Sequence, residues 1–316
     1  MAKIPVIMDV DTGLDDAMAM LLASRSDKIE IRGITTVFGN QSAERTAENT
    51  LKICSLLGIN VPVAKGAEKG FLEKKIDYSS GLEMMVHGAD GLGGRGGELD
   101  EPQRSLEELT ACDLMAKILQ ESEEPVVIVA TAPLTNVATF LLAYPELRQK
   151  IRCIAFMGGA IFGGNIKPTV EANIGHDIEA AAVVLESNVP KVMFPLDATM
   201  NVYLARAERI AMKQTGRIGT FLSDALEGYE EIYGRLAAIP GAVLHDSVPV
   251  AWLIDPDTAE LRDLYVRIEL NGELTRGCTV TDTMGRFGTP NMKVAVHADR
   301  DKIIQMHFDA LKKQTR

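Results

Sequence analysis

The stretch DVDTGLDDAMAM, residues 9–20, sets Asp9, Asp11, Asp15 and Asp16 close together, directly behind the apolar run Ile4-Pro5-Val6-Ile7-Met8. Carboxylates gathered at the end of a buried strand repel one another and raise one another's pKa. Asp15 and Asp16 fall in the first turn of an expected helix, where the positive end of the macrodipole favours acids. Asp11 is left over at the strand end. A divalent cation resolves the conflict, and an all-oxygen ligand set with no Cys or His nearby selects a hard ion, Ca²⁺ or Mg²⁺, over zinc. Such ions take roughly six to eight oxygens, so further ligands must come from elsewhere in the chain.

The elements that would position those ligands alternate in type. Apolar runs predict strands over 4–10, 29–38, 126–130, 151–157 and 192–196, and helical spacing predicts helices over 15–24, 42–57, 133–142 and 178–186. This rhythm predicts one α/β domain over 1–316 with a mostly parallel central sheet flanked by helices, Rossmann-like. The last third changes character, with long helices over 216–236 and 243–254, short strands over 265–270, 278–281 and 293–296, and a closing helix from 299.

In open α/β sheets, ligands collect outside the carboxyl ends of the strands. The residues that follow each strand form a short polar set: Gly39-Asn40; Thr131 to Asn136; Gly158 and Gly159, then Asn165, Glu171, Asn173 and Asp177; and Asp197. Asn136, inside an expected helix start, reads as structural, as does Asp197, and Trp252 reads as a core residue of its helix.

Two enzyme classes fit this arrangement. Asp9-Val10-Asp11-Thr12 matches DxDxT, the aspartyl-phosphate motif of Mg²⁺-dependent haloacid-dehalogenase-type phosphatases, but the later acidic pair those enzymes need is absent. The other class matches more of the chain. DVDTGLDDAMA, TVFGN, HGADGLGG, TAPLTN, MGG, GNIKPTVEANI, PLDAT and HDSVPVAWLIDP occur in this order, and together they resemble the inosine-uridine-preferring nucleoside hydrolases over nearly the whole length. Departures are few: Thr12 stands where Pro is frequent, Ala132 where Gly is, Ala172 where an aromatic residue is, and Ile178 in Asp177-Ile178-Glu179 where Pro is common.

The resemblance implies a Ca²⁺ held by Asp11 and Asp16, the Thr131 backbone carbonyl and Asp246. It implies ribose hydroxyls bonded by Asp15, Asn40, Asn165, Glu171 and Asn173, and a homodimer or homotetramer. The implied reaction is hydrolysis of the N-glycosidic bond of ribonucleosides through an oxocarbenium-like transition state, with Asp11 taking the proton of the attacking water. His245, beside Asp246, is a candidate proton donor to the departing base. His87 in the glycine-rich loop, and Tyr229 and Tyr233 at i, i+4 on one helix face, are candidate substrate contacts. A binder that keeps the Ca²⁺ site for nucleosides or sugars without turnover is the remaining alternative.

Composition narrows the partners. A formal charge of −11 without a basic block disfavours nucleic acid as a partner. No apolar run is long enough to span a bilayer and no signal peptide is evident, so a cytoplasmic address is expected. Cys54, Cys112, Cys153 and Cys278 are far apart and read as reduced thiols. The segment 66–106 is a long glycine-rich loop, a candidate active-site lid. Within it Gly91-Leu92-Gly93-Gly94-Arg95-Gly96 satisfies GxGxxG, but no strand leads into it, which argues against a dinucleotide site.

Overall fold

The interior strand β1 (Ile4–Val10) is apolar on both faces up to Asp9 near its end, because it is covered on both. Val6, Met8 and Val10 pack with the helix Leu14–Arg25 on one side, while Ile7 joins Ile128, Val137, Phe140 and Leu141 on the other. Burying each such large aliphatic or aromatic side chain contributes about 1.5–3 kcal/mol. This computed structural model describes residues 2–72, 76, 78 and 86–313.

Around β1 runs a nine-stranded sheet in the order β10-β9-β11-β6-β5-β4-β1-β2-β3. Its members are β2 (Ile29–Thr36), β3 (Val63–Lys65), β4 (Val126–Ala130), β5 (Ile151–Met157), β6 (Lys191–Phe194), β9 (Ala259–Ile268), β10 (Thr279–Asp282) and β11 (Met292–Ala298). All pairings from β3 to β11 are parallel, and β9 runs antiparallel to both of its neighbours. The connections reverse direction between β1 and β4, which opens a crevice at their carboxyl ends. A separate antiparallel pair, β7 (Tyr203–Ala205) and β8 (Gly241–Val243), lies in the C-terminal part.

The expected mostly parallel sheet flanked by helices is present, with adjusted ends. The strand expected over 192–196 stops at Phe194, and Leu196–Thr199 turns helical after Pro195. The helix expected from 243 begins at Ser247, because Gly241–Val243 pairs as a strand; His245 and Asp246 therefore sit on the turn between the two. The helix Ala111–Glu121, capped by Thr110, had not been expected. Part of the predicted loop 66–106, residues 73–75, 77 and 79–85, lies outside the described residues.

Three later helices, Arg217–Ala237, Ser247–Ile254 and Arg300–Lys312, pack against Leu14–Arg25. That contact brings the C-terminal third of the chain over the acidic turn.

Candidate active site

The acidic turn forms where β1 parts from its neighbours. The Val10 carbonyl accepts the Val37 N–H at 3.0 Å and the Asp9 carbonyl accepts the Thr131 N–H at 2.9 Å, so the chain segments after β2 and β4 flank Asp11. Asp11 is gripped by Asn40, whose backbone N–H donates to Oδ2 at 2.7 Å and whose side-chain amide donates to Oδ1 at 3.1 Å. This grip requires Gly39, since a Cβ there would lie 1.9 Å from Asp11 Oδ2. Asp16 closes the first turn of its helix by accepting the Gly13 N–H at 2.9 Å, and its other oxygen accepts the Thr131 hydroxyl at 2.8 Å.

Asp11, Asp15, Asp16 and Asp246 are all buried. Burial, and then the mutual repulsion of the group, push the carboxyls of Asp11 and Asp246 well above the usual range. The same two causes take Asp15 to about 7. Burial also raises Asp16, to about 6, against the hydrogen bonds from Gly13 and Thr131 that oppose it. Asp15, Asp16 and Asp246 can each bring an oxygen within 4.8 Å of the others, and Asp15 Oδ1 is buried with no hydrogen-bond partner. Oxygen-only donors, mutual repulsion and an orphaned carboxylate oxygen fit a hard divalent cation. The geometry thus draws Asp15 into the cluster, whereas the sequence had suggested for it a sugar hydroxyl alone. Asp9 lies beneath, raised to about 7 by burial and bonded by Thr35 and Asn136.

Above the acids opens a cavity of about 290 Å³. It is lined by Asp15, Asn40, His87, Thr131, Asn165, Glu171, Asn173, Tyr229, Tyr233, His245 and Asp246, so the substrate contacts expected from the sequence converge there. No Lys or Arg lines it among the described residues. A larger groove of about 890 Å³ lies elsewhere, between Lys52, Asp100 and Arg217. Several of its charges are paired, as in Arg217–Asp100, and it contains none of the buried acids.

Several lining residues also hold the wall. Glu171 caps the short helix Ala172–His176, accepting N–H groups from Asn173 at 2.8 Å, Ile174 at 3.1 Å and Gly159 at 2.8 Å. Asn173 donates its amide to the carbonyls of Met157 at 3.1 Å and Thr131 at 3.3 Å. Asn165 accepts the Ala172 N–H at 2.9 Å. Asp177 turns away, accepting the Thr135 hydroxyl at 2.7 Å and the N–H groups of Phe71 and Ala180. Asn136, expected to be structural, donates to Asp9 Oδ1 and to the Thr36 carbonyl. Asp197 accepts the N–H groups of Ile161 and Phe162 and so holds the loop after β5.

One wall is aromatic. His87, Tyr229, Tyr233 and His245 follow one another with ring centroids 5.3, 4.9 and 5.8 Å apart. His87 Nδ1 accepts the Leu14 N–H at 3.3 Å. Burial pushes His245 down to about 3, so at neutral pH it offers only the proton of a neutral imidazole. Thr199, which lies 2.7 Å from His245 Nδ1, was not singled out from the sequence; it sits in the quoted PLDAT segment, but no spacing rule links it to His245.

The profile of the inosine-uridine preferring nucleoside hydrolases matches residues 6–305. The chain belongs to this family. A pyrimidine-specific ribonucleoside hydrolase RihA of Escherichia coli O1:K1 is 38% identical over 313 residues, covering 98% of each chain. Its counterpart in Citrobacter koseri is 39% identical over 312 residues, again with 98% of each covered. Among solved structures, a purine-preferring ribonucleoside hydrolase from Gardnerella vaginalis superposes with a TM-score of 0.90 at 30% identity, covering 98% of this chain and 99% of that one. As a nucleoside hydrolase the chain is an enzyme acting on N-glycosyl bonds. The family match displaces the phosphatase alternative. No helix among the described residues is long and apolar enough to cross a membrane.

Proposed function

We propose that this nucleoside hydrolase cleaves ribonucleosides to ribose and free base in a Ca²⁺-dependent reaction. The observation that carries the reading is the buried acidic cluster with its orphaned Asp15 oxygen, at the floor of a cavity that no Lys or Arg lines. Asp11, Asp16, Asp246 and the Thr131 carbonyl would hold the ion, with Asp15 beside them. When bound, Ca²⁺ supplies an anchor for ribose hydroxyls and lowers the pKa of the attacking water.

The chain's own groups divide the remaining work. Asp11, fixed by two bonds from Asn40, takes the proton of the water. Asp15, Asn40, Asn165, Glu171 and Asn173 orient the ribose, and the carboxylates favour the positive charge that develops on the sugar as the bond to the base lengthens. His87, Tyr229, Tyr233 and His245 face the base; Tyr233 and its partner His245 neutralise its departing nitrogen, while His87 holds the base in place. The relatives named pyrimidine-specific support a preference for uridine and cytidine. The segment 66–106 is proposed as a lid, and the assembly as a homodimer or homotetramer.

The deciding assay incubates the protein with uridine, cytidine, inosine and adenosine, with and without EDTA, and measures free ribose, with p-nitrophenyl phosphate alongside. Ribose release lost in EDTA and restored by Ca²⁺ is expected. Nucleoside binding without ribose release would mark the chain as a binder and sink the proposal.

A further inference from the structure

The GxGxxG stretch finds a different use in the structure from the one its spacing suggests. Its turn is wound around the side chain of Asp90. Oδ1 accepts the N–H groups of Leu92 at 2.9 Å and Gly94 at 2.8 Å, and Oδ2 accepts that of Gly96 at 2.8 Å. Backbone N–H groups of alternate residues thus converge on one carboxylate, in the manner of an anion-binding nest. Here the anion is the chain's own carboxylate, so the nest is filled from within.

The turn is fastened at three points. Leu92 is fully buried in the core that also holds Leu222 and Ala225. Gly93, at φ 67°, runs so close to the helix Arg217–Ala237 that a Cβ would sit 2.2 Å from the Ala225 carbonyl oxygen. The Asn49 amide donates to the carbonyls of Asp90 at 2.9 Å and Thr12 at 3.4 Å, which joins the turn to the acidic segment. His87 hangs from this assembly, its carbonyl accepting the Gly93 N–H at 2.8 Å. Its ring lies over the start of the helix Leu14–Arg25, where a Cβ on Gly13 would come within 2.5 Å of Nδ1.

We infer that Asp90 is a positioning residue: by organising the turn 87–96 it sets the His87 ring at the wall of the substrate cavity. The inference rests on the substrate-binding role proposed for His87. Asp90 touches no substrate and does not line the cavity. Its effect therefore runs through His87, and losing it should weaken substrate binding rather than the bond-breaking step.

A double-mutant cycle tests this, with KM and kcat for the best-cleaved ribonucleoside read in the holoenzyme alongside thermal unfolding. Asp90→Ala and His87→Ala should each raise KM about tenfold with kcat within about threefold, and the double variant should be no worse than the poorer single one. Asp90→Asn, which keeps Oδ1 and loses the acceptor for Gly96, should fall between wild type and Asp90→Ala. Multiplying KM effects in the double variant, or a fall in kcat at unchanged KM, would overturn the inference while leaving the role of His87 intact. An unchanged KM in His87→Ala would remove that role and the inference with it, whereas the hydrolase activity is read independently in the same assay. Should Asp90→Ala fail to fold, the cycle with Asp90→Asn decides by the same criterion.

Discussion

The Tyr233 hydroxyl lies 2.9 Å from Nε2 of His245, and the opposite ring nitrogen lies 2.7 Å from the hydroxyl of Thr199. In the tautomer in which Thr199 donates to Nδ1, the Nε2 proton points at the Tyr233 oxygen, which frees the tyrosine O–H to serve the proposed leaving base. Both side chains are uncharged at neutral pH: burial lowers the His245 pKa far below it, and raises that of Tyr233 further above it. Tyr233→Phe should therefore cut kcat about 10²-fold for a natural nucleoside while sparing p-nitrophenyl riboside, whose leaving group needs no proton. Equal losses on both substrates would remove Tyr233 and His245 from leaving-group chemistry.

Asp11→Asn keeps the shape of the side chain and removes the proposed base. Ribose release should drop by about 10²- to 10⁴-fold, while calorimetric titration still detects nucleoside binding. Turnover within a few-fold of wild type would assign proton removal to another group.

Ion binding should be coupled to protons. With Asp16 at about 6 and Asp15 at about 7 before an ion arrives, Ca²⁺ must displace protons, so its affinity rises with pH through that window. Folded carboxyls with raised pKa hold protons that the unfolded chain releases. Without Ca²⁺, their contribution to stability is thus lost as pH rises from about 4 to 7. Calorimetry in buffers of different ionisation enthalpy should show proton release on Ca²⁺ addition. Its absence would mean that the acids are already ionised.

His307 should make the protein acid-sensitive from the opposite end of the chain. It is buried between the Ser247 hydroxyl at 3.0 Å and the Ile303 carbonyl at 2.8 Å, and burial lowers its pKa from 6.5 to about 4. Between those values the unfolded chain binds the proton and the folded chain does not, so stability falls as pH drops from about 6.5 to about 4. The loss amounts to roughly 3 kcal/mol. Urea unfolding with Ca²⁺ present should show this slope in the wild type and a flatter one in His307→Gln.

The strand-end chemistry was legible because it is local. Apolar runs mark β1, β4 and β5, and the polar residues that follow each one lie beside them in the chain, so Asp11, Thr131 and Asn173 could be named together. Strands of three residues, such as Val63–Lys65 and Tyr203–Ala205, are too short for alternation to show. The helix Ala111–Glu121 carries readable signals in its Thr110 cap and in Leu114, Met115, Ile118 and Leu119, but the strand before it in the βα alternation, Val63–Lys65, is too short to announce it. Long-range links were out of reach: Asn136 meets Asp9 across 127 positions, and Thr199 meets His245 only once the C-terminal helices have folded over the sheet. The pKa of His245 was equally hidden, since it depends on burial that no local pattern encodes.

Gly39 leaves Asp11 Oδ2 no room for any neighbouring Cβ. In genetic terms, every missense change in its codon introduces that atom, the smallest change to alanine included. Drift at this position and damage to the proposed base are therefore one event. A lineage could regain function there only by reversion or by rebuilding the Gly39–Asn40 turn around a displaced Asp11.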